Sequence, residues 1–243
     1  MKVLVIDVGG TNIKVSTGGP EDPLKIPSGP DMNAARMAEE VKNATAGWQY
    51  DAVSIGYPGP VSNGRPALEP KNLGAGWVRF DYDKAFNKPV RVVNDAAMQA
   101  LGSYQGGRML FLGLGTGLGS AFVANGQLEP LELAHLPYRN NRTYEDYVGL
   151  RGFERLGRKK WQRHVEKVIE LLKHGLQADY VMLGGGQTKK LKTLPPGVRV
   201  GNNSHAIQGG IRLWETTVSE ASNPEAARPP AGTASGKVAR PPA

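Results

Sequence analysis

Cysteine is absent from the 243-residue chain, which excludes disulfides and thiolate metal sites and fits a reducing compartment. No run of about 18 apolar residues occurs, so no helical membrane span is expected. Nor does the N-terminus show the basic, then apolar, then small-residue layout of a secretory signal. The expectation is a cytoplasmic protein with no membrane partner. Only four histidines are present, and they are scattered. The Glu132–His135 spacing would suit two ligands on one helical turn, but without thiolates no zinc is expected. Neither GxxxxGK[ST] nor a GxGxxG at a strand-to-helix turn is found, which argues against P-loop and Rossmann nucleotide sites. Zinc-finger spacing, a recognition helix and an aromatic-rich platform for single strands are missing too, so no specific nucleic acid is expected. The net charge of +8 still favours anionic partners of some kind.

Present instead is an alternation of apolar runs and glycine-rich bends, in a chain long enough for one large domain or two small ones. It opens with VLVIDVGGTNIKVSTGG (3–19). Apolar runs Val3–Ile6 and Ile13–Val15 flank a loop of small and polar residues. One reading is a hairpin closed by a Gly-Gly turn. The other is a phosphate-binding loop: glycines let backbone N–H groups approach an anion, Thr11 adds a hydroxyl donor and Lys14 adds charge. Asp7 could then hold a magnesium ion, directly or through water.

Further along, Pro20–Pro30 reads as a loop or edge strand. Residues 33–46 read as a helix capped by Asn33, with Ala34, Met37, Ala38 and Val41 at helical spacing. Ala52–Tyr57 is a strand running into Pro58-Gly59-Pro60. Residues 61–80 read as a long surface loop, of the kind usually functional or mobile. Val90–Val93 is a strand, and a helix follows from Ala96 to about Tyr104. From Met109 the opening pattern returns: LGLGTGLGSAFV repeats the plan of IDVGGTNIKV about 105 residues later, which points to duplicated halves. Glu154–His174 reads as a basic amphipathic helix with Trp161, Val165, Val168, Ile169 and Leu172 on or near one face. Tyr180–Leu183 is a buried strand ending in Gly184-Gly185-Gly186, and 205–214 is the last helix. From about Glu215 periodicity stops, and 216–243 is expected to be a disordered tail.

Three constellations carry chemistry. Gly9-Gly10-Thr11 and Gly115-Thr116-Gly117 both close hairpins and could offer backbone donors to one polyphosphate chain from two sides. In VNDAA, Asp95 follows a buried strand and opens a helix, where open α/β sheets place their ligands; a helix N-cap would explain it as well. Phosphoryl transfer to an alcohol needs a carboxylate for the hydroxyl proton, donors around the phosphates and a metal to neutralise charge. LELAHLP and RTYEDY supply Glu132, His135 and Glu145, a polar cluster able to bridge sugar hydroxyls, although His135 also reads as a packed or capping histidine. Arg151, Arg155, Arg158, Lys159, Lys160, Arg163 and Lys167 crowd one stretch, with Lys189, Lys190 and Lys192 beyond it. That surface would attract a chain of phosphates in a salt-dependent way, or is simply a solvated helix face.

In order along the chain, IDVGGTNIK, YPGPV, VNDAA with its following ALG, GLGTGLGSAFV, LELAHLP and LGGGQTKKLK resemble the ROK family of sugar kinases and repressors. RTYEDY…KKWQRHVEKVIELL…DYVMLGGGQTKKLK resembles its polyphosphate-dependent glucokinase branch. The resemblance covers roughly residues 2–214. It implies an α/β, two-lobed actin-like ATPase (ribonuclease H-like) fold, each lobe a mixed sheet flanked by helices, with a cleft between them. The lobes would be 1–107 and 108–215, the last helix able to pack back on the first. By the same resemblance Asp95 is the general base on the 6-hydroxyl of a hexose, with glucose the expected sugar. Asn94, Glu132, His135 and Glu145 contact the sugar, with Asn72 added from the long loop. Asp7, Gly9, Gly10, Thr11 and Lys14 form the first phosphate loop; Gly115, Thr116 and Gly117 form the second. Gly184, Gly185 and Gly186 lie against the adenosine of ATP. Mg2+, a donor that is ATP or polyphosphate, and a homodimer are implied. The cysteine-rich zinc loop of many members is missing, Ala134 stands where relatives have Gly, and Ala97 replaces the second Asn of the frequent NDAN. No helix-turn-helix precedes Met1, so a kinase is expected rather than a repressor; a non-catalytic sugar-sensing regulator is the alternative.

Overall fold

A computed structural model describes residues 1–215 apart from Pro20, Asp22 and Asn203; the expected tail, 216–243, lies outside the described residues. The first apolar run forms β1 (Val3–Val8), buried at every position. A tight bend returns it as β2 (Asn12–Ser16) and then β3 (Leu24–Pro27), the edge strand expected within Pro20–Pro30. Next, α1 (Ala34–Ala44) is capped by Asn33, whose side chain accepts from the Arg36 N–H, and it buries Ala34, Met37, Ala38 and Val41. β4 (Ala52–Tyr57) pairs in parallel with β1. A short hairpin of β5 (Val61–Ser62) and β6 (Arg65–Pro66) precedes α2 (Tyr82–Phe86), and β7 (Val90–Asn94) completes a sheet of order β3-β2-β1-β4-β7. α3 (Asp95–Ser103) leads out of it.

The plan then repeats. β8 (Arg108–Leu114), β9 (Leu118–Ala124) and β10 (Gln127–Leu131) form an antiparallel meander. After the small ribbon β11 (Pro137–Arg139) and β12 (Arg142–Thr143) come α4 (Tyr144–Val148) and α5 (Leu150–Gly175). β13 (Tyr180–Gly184) and β14 (Val198–Val200) add in parallel, giving the order β10-β9-β8-β13-β14. Strand for strand this is the first sheet again, two antiparallel partners on one side of the central strand and two parallel on the other, so the repeated bend marks a doubled architecture.

Two expectations need correction. Residues 61–80 are not merely a surface loop, because Trp77 is fully buried in the core beneath the first sheet. Its indole N–H donates to the Gly74 carbonyl (2.8 Å), and the Glu69 carboxylate accepts from the backbone N–H groups of Gly76, Trp77 and Val78 at 3.0, 3.0 and 3.3 Å. Burying so large a side chain is worth a few kcal/mol, which is what orders a segment with so little regular structure. The long helix begins at Leu150, ahead of the expected Glu154, and is broken at Gly157, where φ is 71°. Only glycine adopts that conformation without strain.

The halves are joined by packing as well as by chain. α3 sets Ala96, Ala97 and Ala100 against Phe111, Ala121 and Val123 of the second sheet. The last helix, α6 (Ser204–Arg212), lies across α3 and against Val3 and Val5 of β1. The contact is close because it is made of glycine: a Cβ on Gly102 would meet the His205 carbonyl, and one on Gly209 the Met98 carbonyl.

Candidate active site

Three parallel strands of the first sheet, β1, β4 and β7, end together. Asp7 stands at the end of β1, with Gly56 of β4 in register beside it, and β7 runs into Asn94 and Asp95. A Cβ on Gly56 would collide with the Met98 side chain and sit 3.6 Å from the Asp95 Cα, so the glycine makes room for Asp95. Asn94, not Asp95, caps α3: its Oδ1 accepts from the N–H groups of Ala96 (3.0 Å) and Ala97 (3.2 Å). Its Nδ2 donates to the Gly59 carbonyl at 3.0 Å, tying the proline–glycine bend to the helix. Oδ1 and one Nδ2 hydrogen of Asn94 are thus engaged within the protein. Capping by Asn94 leaves Asp95 as the first helical residue.

The Asp95 carboxyl keeps some solvent exposure yet is surrounded by protein. Its pKa is raised from the ordinary 3.8 to about 7, by burial first and then by the Asp7 carboxylate and, least, Glu132, against the opposing backbone N–H groups of Ala96, bonded to Oδ1 at 2.8 Å, and of Asp95 itself. Asp7 comes from the first half and Glu132 from the second, so Asp95 lies where the two meet. Such a carboxyl has the strength of a general base at neutral pH.

Each glycine bend is built for close approach. At the first, the Gly9 N–H donates to the Asn12 carbonyl (3.1 Å), Ser28 Oγ braces the Gly9 carbonyl (2.6 Å), and Asn72 arrives over Gly10. Lys14 Nζ lies 3.3 Å from Asp7 Oδ2 in the adjoining ladder. At the second, the Gly115 N–H reaches the Gly117 carbonyl at 3.2 Å, and the Leu150 N–H donates to the carbonyls of Gly115 (3.1 Å) and Thr116 (3.2 Å). Gly185, at φ 84°, packs on the Leu114 backbone, so the Gly184–Gly186 triplet adjoins this bend. The Glu145 carboxylate presses against Gly117, where a Cβ would collide with it, and pairs with Arg151 at 3.3 Å.

The structure therefore groups Asp7, Gly9, Gly10, Thr11, Lys14 and Asn72 on one side, and Gly115, Thr116, Gly117, Gly184, Gly185, Gly186 and Glu145 on the other, with Asp95 and Glu132 at the junction. His135 is exposed at the end of a short 3-10 turn (133–135), three residues beyond Glu132, and its ring bonds to no described residue. Sequence reasoning missed Gly56 and Ser28, and it named Arg151 only as part of the basic stretch, not as the partner of Glu145. Only Gly56 left a signal, as a glycine inside the apolar run AVSIGY.

Among the described residues no group of three or more His, Asp or Glu side chains could enclose a metal ion. Mg2+ suits such a site nonetheless, because it commonly takes one or two carboxylates and completes its shell with phosphates and water. Asp7, buried at a strand end beside the first bend, is a carboxylate of that kind.

A sheet plan laid down twice, with a carboxylate at the seam, is the architecture of the actin-like ATPases. Within that class the chain belongs to the ROK family, whose profile matches residues 3–130. It is 26% identical over 207 residues to the polyphosphate glucokinase of Mycobacterium leprae (strain TN), an alignment covering 77% of this chain but 60% of that protein, so the chain spans about three fifths of it. An N-acetylmannosamine kinase of Haemophilus influenzae (strain PittEE) is 30% identical over 141 residues, 51% of this chain and 47% of the other. Among solved structures, the inorganic polyphosphate/ATP-glucomannokinase of Arthrobacter sp. strain KM superposes with a TM-score of 0.69 at 22% identity, covering 88% of this chain and 99% of that one.

Proposed function

We propose that this protein is a hexose kinase that transfers a phosphoryl group from ATP or polyphosphate to the 6-hydroxyl of a sugar, glucose first among the candidates. One observation carries the reading: a carboxyl raised to about 7 at the seam of two halves, each of which presents a glycine bend. The polyphosphate glucokinase and glucomannokinase names of its relatives support the acceptor and the donors.

Asp95 would accept the hydroxyl proton as the oxygen attacks the terminal phosphorus. Residues of both halves would divide the remaining work. Glu132 and Asn72 would orient the sugar from opposite halves, and Lys14, held by Asp7, would place positive charge beside the first bend. Backbone N–H groups of both bends would cradle the phosphates. Mg2+ bound with the donor would neutralise part of the phosphate charge. Closure of lobes 1–107 and 108–215 over the sugar would exclude water that competes as acceptor.

The test is turnover of glucose, mannose and N-acetylmannosamine with Mg2+ and either ATP or polyphosphate. Asp95→Asn should lose on the order of 10²- to 10⁴-fold in kcat while still binding sugar. Sugar binding without transfer by the wild-type chain would instead identify a sugar-sensing regulator, and a near-normal rate for Asp95→Asn would remove Asp95 as the base.

A further inference from the structure

We propose that the groove between α5 and residues 189–195 is a track for the tail of a linear polyphosphate whose reacting end lies at the second glycine bend. The inference rests on the kinase reading and names the donor that this geometry fits. Both walls start at that bend: α5 through the Leu150 N–H on the Gly115 and Thr116 carbonyls, the opposite wall through Gly185 on Leu114. They leave it together. The Lys190 ammonium sits over the Phe153 ring at 3.7 Å, the Lys192 N–H donates to Gln162 Oε1 (3.1 Å), and Gln162 Nε2 donates to Thr193 Oγ1 (2.8 Å).

Where the walls part, two contiguous open hollows of about 520 and 490 Å³ lie between them. Arg158, Lys159, Arg163, Lys167 and Lys192 line these hollows against two carboxylates, Glu166 and Glu170. Glu170 is engaged by Lys167 at 3.0 Å and Glu166 by Gln162 at 2.8 Å. Arg158, Lys159, Arg163 and Lys192 form no ion pair among the described residues, and all four are exposed. From Leu150 to Lys167 the helix advances about 25 Å at most, well beyond the reach of a nucleotide's three phosphates. No aromatic ring faces the hollows to stack a base, so a bare polyphosphate fits better than a nucleic acid.

Binding of fluorescently labelled long-chain polyphosphate to the full chain, measured without sugar and across a salt series, tests the track. Long chains should bind about tenfold or more tighter than tripolyphosphate. In Lys159→Ala/Arg163→Ala/Lys192→Ala that advantage should vanish and the salt slope should fall by about 2, at roughly 0.7 per cation on a single-stranded polyanion. Tripolyphosphate binding should not change. Lys2→Ala/Lys84→Ala/Lys88→Ala removes the same charge elsewhere and should keep the advantage. The track is overturned if the groove variant keeps its preference for long chains, if the control loses it equally, or if single-stranded RNA of matched charge displaces polyphosphate as well. Absence of sugar phosphorylation with every donor would overturn the kinase reading by itself, whichever way the binding result falls.

Discussion

Asp95 is held between two demands. Its place at the seam takes it out of water and beside Asp7 and Glu132, which favours the neutral acid; its proposed work needs the carboxylate. A value of about 7 makes both forms available at neutral pH. The acid limb of kcat/KM for the sugar should therefore fall about tenfold per pH unit below about 7. Glu132→Gln removes a like charge and should move that limb to lower pH, a displacement that a pH–rate profile reads directly. A stability signature follows as well, with a definite sign. The folded value lies above the ordinary 3.8, so below about pH 4 the group is protonated in both states and destabilises neither. As pH rises towards 7 the unfolded chain ionises first, and the folded state loses relative stability until both are ionised. Asn cannot ionise, so the Tm of Asp95→Asn minus that of wild type should grow between pH 4 and 7 and level off above. A difference constant with pH would mean that Asp95 is not raised.

At the scale of elements, the bends are where small changes are costly. Gly185 combines a φ of 84° with backbone against backbone at Leu114, so an added Cβ has no flexible neighbour to displace. Gly185→Ala should destabilise by about 2 kcal/mol and weaken donor binding, seen by urea denaturation and donor KM. Trp77→Ala should cost about 3–5 kcal/mol by releasing the segment that carries Asn72 to the first bend. Strands and bends were legible in the chain because apolar runs ending in glycine have few alternatives. The order around Trp77 was not, since one aromatic and one glutamate without periodicity leave no pattern; their partnership exists only through backbone N–H groups. The break at Gly157 could have been suspected from a glycine inside a helical stretch, but its direction depends on tertiary packing. β14 is three residues long and owes its strand state to β13. The cap on α3 reads from the sequence as Asp95, one residue late, because the strand end and helix start cannot be placed to the residue from local pattern; the geometry gives the cap to Asn94.

For the whole molecule, the doubled plan could be read from two similar bends and the return of the last helix was implied by the family resemblance, whereas the side that α3 takes could not be read. α3 follows the first sheet in the chain yet packs on the second, and α6, last of all, returns across α3 to β1. Nothing in local pattern says which sheet an alanine-rich helix will choose. The crossing depends on Gly102 and Gly209, each facing a main-chain carbonyl of the other helix. Arg212 seals it by donating to the carbonyls of Leu101 (2.9 Å), Gly102 (3.2 Å) and Tyr104 (3.1 Å) at the end of α3. A methyl group at Gly102 cannot be relieved by a rotamer change, because its obstacle is backbone; the helices must separate. Gly102→Ala should thus lose about 1–3 kcal/mol of stability. Because α3 also begins at Asp95, kcat/KM for the sugar should fall in the same variant. Gly175→Ala, where an added Cβ meets nothing within 4 Å, should be neutral or stabilising by up to about 1 kcal/mol, with activity unchanged. If Gly102→Ala matched Gly175→Ala in both stability and activity, the helix crossing would not be what fixes Asp95 between the two halves.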